Sequence, residues 1–353
     1  MPATAIAASG AKPGNTTDRR AATRTRRADR WRRVWRLTWR RGLSGIVVLV
    51  LVSGLSFALS AVSPFDPLVS YLGAQYEHTS AAQRDELAAR LGLDTPWWQA
   101  WVNWFADAAA GDWGHSVLYA QPVAQVISER LPWTLLLSVC GLAGALLIAV
   151  VVARVATLRP GGRLDTALVT GTVALQAIPP FVVALLAVTL FAVTLRWLPS
   201  AGAFPVTGSL SVATLARHLV LPAAVLALTQ CPWLVLSLHR AVTTAATSDP
   251  VRAARLRGLA EHVVFTRHTL PAALGPWLGL VGTRLPELVA GSVLVEAVFA
   301  WPGLAAAFVD AAKGLDLALL TALITATTAV VLVGSWLADV AHVLIDPRVR
   351  HDA

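Results

Sequence analysis

Between residues 240 and 271 the chain runs Thr247-Ser248-Asp249-Pro250-Val251-Arg252-Ala253-Ala254-Arg255-Leu256-Arg257-Gly258-Leu259. Asp249 or Ser248 can accept from the open N–H groups at a helix start, Pro250 suits its first turn, and Gly258 can end it in a left-handed conformation. The pattern predicts a short helix over 249–259, with small residues on one side and arginines on another. Such an element is shaped to be gripped by another protein; the plain alternative is a solvated connector. Arg284 and Glu287 stand three residues apart within an otherwise apolar stretch, Leu270 to Val295. On a helix they share a face, so they either neutralise each other against a neighbour or face a polar path.

Other chemistry is missing. A phosphate-cradling loop needs a Gly-Lys-Ser/Thr step, yet the two lysines, Lys12 and Lys313, each follow alanine. The eight histidines include no pair at the four-residue spacing of a zinc-protease helix, and His262 and His268 lie six apart in a basic loop. Cys140 and Cys231 sit in apolar runs and read as small buried side chains, not as a disulfide or zinc framework. No Gly-x-Ser-x-Gly elbow occurs, which leaves an intramembrane hydrolase unsupported. No catalytic residue and no metal site is assigned.

The elements that must position these residues belong to a membrane. The 353 residues are 56% hydrophobic and only 14% charged, with mean hydropathy +0.62. That excludes an ordinary soluble domain and excludes disorder for most of the chain. Charge-free intervals long enough to cross a bilayer occur at 42–65, 131–153, 166–195, 218–239 and 317–338, and the Leu270–Val295 stretch makes a sixth. The expected fold is all-α and polytopic, with six transmembrane helices and both termini on one side. Residues 1–41 hold 12 of the 29 basic residues, and the 154–165 and 240–267 loops are also basic. The segments 63–130 and 296–316 are net acidic. Short cytoplasmic loops carry the arginine excess, so the termini are expected inside; the 196–217 loop, with two arginines and no acid, disagrees. A 40-residue basic lead is too long for a cleaved signal peptide.

The positive charge suggests anionic lipid headgroups as a partner, not nucleic acid, because the remaining chain is close to neutral. Trp31, Trp35 and Trp39 recur every four residues among Arg30, Arg32, Arg33, Arg36 and Arg40. Their spacing suits a cationic helix lying in the headgroup layer. Residues 1–28 show no periodicity and read as disordered. In the outer segment, Ser80 to Leu91 reads as a polar helix and Trp97 to Ala110 as an amphipathic one, with its tryptophans at the outer interface. Gly111-Asp112-Trp113-Gly114 reads as a turn.

Arg252-Ala253-Ala254-x3-Gly258 followed by Arg267-His268 resembles the cytoplasmic coupling motif of bacterial ABC importer permeases. It is similar to the version in the dipeptide, oligopeptide and nickel family, where a basic residue stands in place of the glutamate that names the motif. Further matches follow in the family's order: Pro64-Phe65-Asp66-Pro67, Leu91 to Pro96, Gly111 to Ser116, Glu129-Arg130-Leu131-Pro132-Trp133-Thr134, Val295 to Leu304, and Leu344 to Arg350. Together they resemble the B-type permease subunit over about residues 31–351. Phe65 where glycine is usual, Pro271 at the start of the fifth span, the basic extension, and the Arg284 and Glu287 charges depart from the pattern.

The resemblance implies a type I importer permease forming half of a translocation pathway, with peptides as the expected cargo. Asp249, Arg252, Ala253, Ala254, Arg257, Gly258 and His268 would couple it to a separate ATPase. Arg284 and Glu287 would be the candidate pathway residues, engaging a zwitterionic cargo or the second permease. The implied partners are a homologous second permease, ABC ATPase subunits that bind ATP and Mg, and an extracytoplasmic substrate-binding protein. This chain itself would hold no cofactor. The implied location is the bacterial inner membrane, multi-pass. The expected division is a basic tail over 1–41, a first span over 42–62, an outer helical cap over 63–130, a five-helix core over 131–345, and a C-terminal tail over 346–353. The competing reading is an ATP-independent secondary transporter or channel, which inverted repeats would favour; none is evident.

Overall fold

The computed structural model describes residues 16–64, 66, 68–90, 95–156, 161–205, 211–282 and 284–345. Helix α1 spans Thr16–Val62, and short α2 (Leu68–Leu72) leads through a 3-10 turn to α3 (Ala81–Arg90) and α4 (Trp97–Ala109). A two-residue ladder, β1 (His115–Ser116) against β2 (Gln121–Pro122), precedes α5 (Val123–Ala156). Then come α6 (Arg163–Gln176), α7 (Pro180–Ala187, extended to Thr194 by π-helical turns), α8 (Val212–Ala246), α9 (Asp249–Leu256) and α10 (Glu261–Val264). The chain ends with α11 (Leu270–Gly282), α12 (Leu285–Val298), α13 (Leu304–Lys313) and α14 (Leu317–Ile345). The fold is all-α and polytopic.

Four helices are each long and apolar enough to cross a membrane: Val34–Val62 of α1, α5, α8 and Leu317–Ala341 of α14. The interval 166–195, uniform by charge, is instead two helices meeting at a bend of 100°. Pro179 and Pro180 explain the break, because the ring of each disfavours helix in the residue before it and Pro180 opens α7. The sixth interval is likewise divided. Arg284 caps the start of α12 and Pro286 lies in its first turn, so α11 and α12 meet at a discontinuity within the apolar stretch.

The core is built on α5 and α8. Ala145, Ala149 and Ala153, four residues apart on α5, are fully buried in one cluster with Leu234, Leu238 and Val242 of α8. Small side chains let the two backbones approach, and the approach is tightest at Gly141, where a methyl group would lie 2.6 Å from Leu226 Cδ2. The α11 helix joins through Trp277, whose buried indole donates to Leu234 O at 3.2 Å and Ser237 Oγ at 2.9 Å. Ser211 and Thr214 form a reciprocal cap at the start of α8.

Two expectations change at the periphery. Helix α1 begins at Thr16 and is continuous through the tryptophan and arginine ladder into the span, so part of the tail read as disordered is helical and no separate interfacial helix precedes the span. Residues 1–15, 91–94 and 346–353 lie outside the described residues. The outer segment has its two expected helices, but α4 packs along the flank of α1. Trp101 Nε1 donates to Ser53 Oγ at 3.1 Å, and Trp104 stacks at 5.7 Å from Phe57. Of its four tryptophans only Trp97 and Trp98 remain exposed.

Candidate functional site: a docking helix, a charged break and an outer junction

Helix α9 is a short amphipathic rod standing on two buried side chains. Val251 and Ala254, one turn apart, pack with Val264 of α10 and fix which face turns inward. Ser248 occupies the cap position, yet its hydroxyl donates to Ala245 O at 2.6 Å, so the serine ties α9 to the end of α8. Pro250 lies in the first turn. The helix ends where Gly258 takes φ +75, and Leu259 N returns to Ala254 O at 3.4 Å. A side chain at 258 would meet nothing within 4 Å, so the glycine is needed for its backbone angle and not for space.

The outward face of α9 carries Asp249, Arg252, Ala253, Leu256 and Arg257, all exposed. Of the residues expected to couple, Ala254 therefore faces inward and acts as a foot of the helix. His268 is half-buried in the π-helical turn Phe265–Thr269 that follows α10. That turn precedes Pro271, and Leu270 N reaches back five residues to Phe265 O. Two residues were overlooked in the sequence. Leu256, 84% exposed, puts an apolar side chain on the outward face of a polar loop helix. Arg255 forks onto Glu261, with Nε to Oε1 at 3.0 Å, and donates from Nη1 to Ala246 O at 3.2 Å, bracing α9 against both flanking elements. From α5, Arg154 lies over the Phe265 ring at 4.9 Å, so the loop is tied to the core.

Arg284 and Glu287 meet at the α11/α12 break. The guanidinium Nη1 pairs with Glu287 Oε1 while its plane lies 4.5 Å from the centre of the Trp233 ring on α8. Both border a small open recess lined by Leu142, Gln230, Trp233, Leu234, Val281 and Leu288. A helix start aims free N–H groups at its first turn, and the acidic Glu287 stands there, which suits the macrodipole. The pair is satisfied within one chain, yet Glu287 remains the more open of the two.

A third cluster joins two motifs far apart in sequence. Trp301 Nε1 donates to Trp133 O at 3.0 Å, Leu304 N donates to Thr134 Oγ1 at 2.8 Å, and Ala305 N donates to Glu296 Oε2 at 2.8 Å. Glu296 is fully buried, and its second oxygen has no hydrogen-bond partner among the described residues. Around it, Arg130 lies over the Tyr119 ring at 4.8 Å and Tyr119 donates to Asp310 Oδ2 at 2.8 Å. Burial, and then that bond to Asp310, raise the Tyr119 phenol above its ordinary value. Asp316 completes the cluster, accepting from Ser116 Oγ at 2.7 Å, Leu118 N at 3.1 Å and Leu319 N at 3.1 Å, so one buried carboxylate caps α14 and holds the β1 turn. Among the described residues no cluster of three or more His, Cys, Asp or Glu side chains could hold a metal ion.

Residues 145–351 match the family described as "Binding-protein-dependent transport system inner membrane component". The chain is similar to the oligopeptide transport system permease protein AppB of Bacillus subtilis (strain 168), with 30% identity over 88% of this chain and 98% of that protein. A peptide permease protein of Brucella suis is 32% identical over 87% of this chain and 97% of its own. Among solved structures, one of an amino acid ABC transporter with histidines is 14% identical over 64% of this chain and 94% of that one, with a TM-score of 0.43. The matched region takes in α9, the Arg284 and Glu287 break and the α12–α14 side of the third cluster, and the relatives extend the match across nearly all of their own length. The chain belongs to the family of binding-protein-dependent transport system inner membrane components.

Proposed function

We propose that this membrane permease carries peptides and is driven through α9 by a separate ATPase. The observation that supports this most is the near-complete match to relatives named as peptide permeases, at 30% and 32% identity. The exposed face of α9 offers Arg252, Leu256 and Arg257 to a groove on the ATPase subunit, while Val251, Ala254 and Arg255 hold the helix to the permease. Movement of that groove on ATP binding would push α9, and through it α8 and α11, between which the loop is strung. ATP and Mg belong to the partner subunits, since neither lysine stands in a phosphate loop. A homologous second permease closes the pathway against the Arg284 and Glu287 recess, and a binding protein delivers cargo to the outer side. Both termini lie in the cytoplasm of a bacterial cell, where the basic loops are retained.

Reconstitution in liposomes tests the proposal. Peptide uptake should require the ATPase subunits and ATP, and the purified chain alone should turn over no ATP above a catalytically dead control. Uptake by the chain without any ATPase would instead mark an ATP-independent transporter.

A further inference from the structure

The arginine and tryptophan ladder of α1 is not used by the docking helix, the charged break or the outer junction, and the structure shows which way it faces. At 100° per residue, Val34, Thr38 and Arg41 fall on one side of the helix. That side meets α14: Trp336 Nε1 donates to Thr38 Oγ1 at 3.1 Å, and Arg41 pairs with Asp339. Gly45, a turn further on, is buried, and a methyl group there would lie 3.7 Å from Leu332 Cδ1. Arg32, Trp35, Arg36, Trp39 and Arg40 fall on the opposite side and are exposed, Trp35 by 73% and Trp39 by 69%. None of Arg32, Arg36 and Arg40 pairs with a described carboxylate, while Arg41, on the packed side, does.

Depth points the same way. The 21 residues from Gly42 to Val62 rise about 31 Å, the thickness of a bilayer core. Arg40, Trp39, Arg36 and Trp35 then lie within about 10 Å of the core's edge, at the level of headgroups and phosphates. Indoles are favoured at that level and guanidiniums bind phosphate in a fork. We propose that this outward face of α1 is a binding site for anionic phospholipid headgroups, with Trp35 and Trp39 seated among the headgroups and Arg32, Arg36 and Arg40 on the phosphates. Charge complementarity selects the lipid class: residues 16–41 carry eleven arginines against two aspartates. The site is independent of what the permease transports.

The test uses the full chain in nanodiscs of phosphatidylcholine into which phosphatidylglycerol is titrated, with bound lipid read by native mass spectrometry. Wild type should retain phosphatidylglycerol selectively. The R32Q/R36Q/R40Q variant should bind it about 100-fold more weakly, roughly fivefold for each charge. The matching lysine variant should keep most of the binding. Should the triple variant fail to accumulate, R36Q and R40Q singly, about fivefold each, give the same reading. Equal retention by wild type and the glutamine variants would overturn the site. So would displacement of the lipid by soluble glycerol phosphate, which would mark a general anion site, or by a short RNA, which would mark a nucleic-acid surface.

Discussion

Trp301 donates its indole N–H to the backbone carbonyl of Trp133, 168 residues earlier in the chain, at 3.0 Å. The two rings also meet edge to face at 6.0 Å, and Thr134 beside them receives Leu304 N. The α12–α13 turn is thereby fastened to α5 by groups that sealing from water makes hard to release. Replacing Thr134 with valine keeps the shape but leaves Leu304 N without its acceptor, at a cost of about 1–3 kcal/mol. The T134V permease should show a lower thermal unfolding midpoint in detergent, while T134S should stay near wild type. Equal midpoints for the two variants would remove the junction from the account.

Gly141 should tolerate no larger side chain. A Cβ there lies 3.0 Å from Leu226 Cβ as well as closer to its branch atoms, so valine must separate α5 from α8. Overpacking of this kind costs about 1–3 kcal/mol. G141V should reduce the amount of folded permease in membranes, measured by fluorescence-detected size exclusion, whereas valine at Gly171, which faces open space, should not.

Gly258 separates a backbone requirement from a packing one. Because its φ is +75 and no atom crowds it, asparagine should be accepted and valine should not. The valine penalty, about 1–3 kcal/mol, falls on the end of α9 alone. ATP-driven uptake should fall for G258V and persist for G258N, at equal membrane abundance. Equal uptake by both variants would show that the shape of this turn does not matter to transport.

Exchange of Arg284 and Glu287 tests the charged break. The swapped pair keeps its net charge, but it places a cation in the first turn of α12, against the helix dipole by about 0.3–1 kcal/mol, and removes the guanidinium from Trp233. The exchanged permease should still insert and assemble, and its uptake should fall or change selectivity among peptides of different charge. Unaltered uptake would leave the pair a purely structural role.

Charge-free intervals located the long helices well, yet two of those intervals hold broken helices for a physical reason. Charge measures whether a segment can sit in lipid, whereas Pro179-Pro180 and Pro286 decide whether it can stay one helix. The same ruler cut α5 short, because Gln125, Glu129 and Arg130 extend that helix beyond the hydrocarbon instead of ending it. Capping residues and Gly258 made α9 legible. Which of its residues face inward was not, since Ala253 and Ala254 look alike until Val264 is seen to pack against one of them. Glu296 stands out in the sequence only within the Val295 to Leu304 match: its carboxylate is held by Ala305 N at the α13 start and by Thr134 of α5, and no local pattern announces a contact across the latter separation.

Docking of the ATPase on the outward face of α9 is open to a direct crosslinking test. A photo-crosslinking amino acid placed at Leu256, 84% exposed, should join this chain to the ATPase subunit in membranes. The same probe at Ala254, fully buried, should not. Position 256 should give a crosslinked band that weakens or shifts when ATP is added. Absence of any ATPase adduct at 256 from assembled, transporting complex would contradict it.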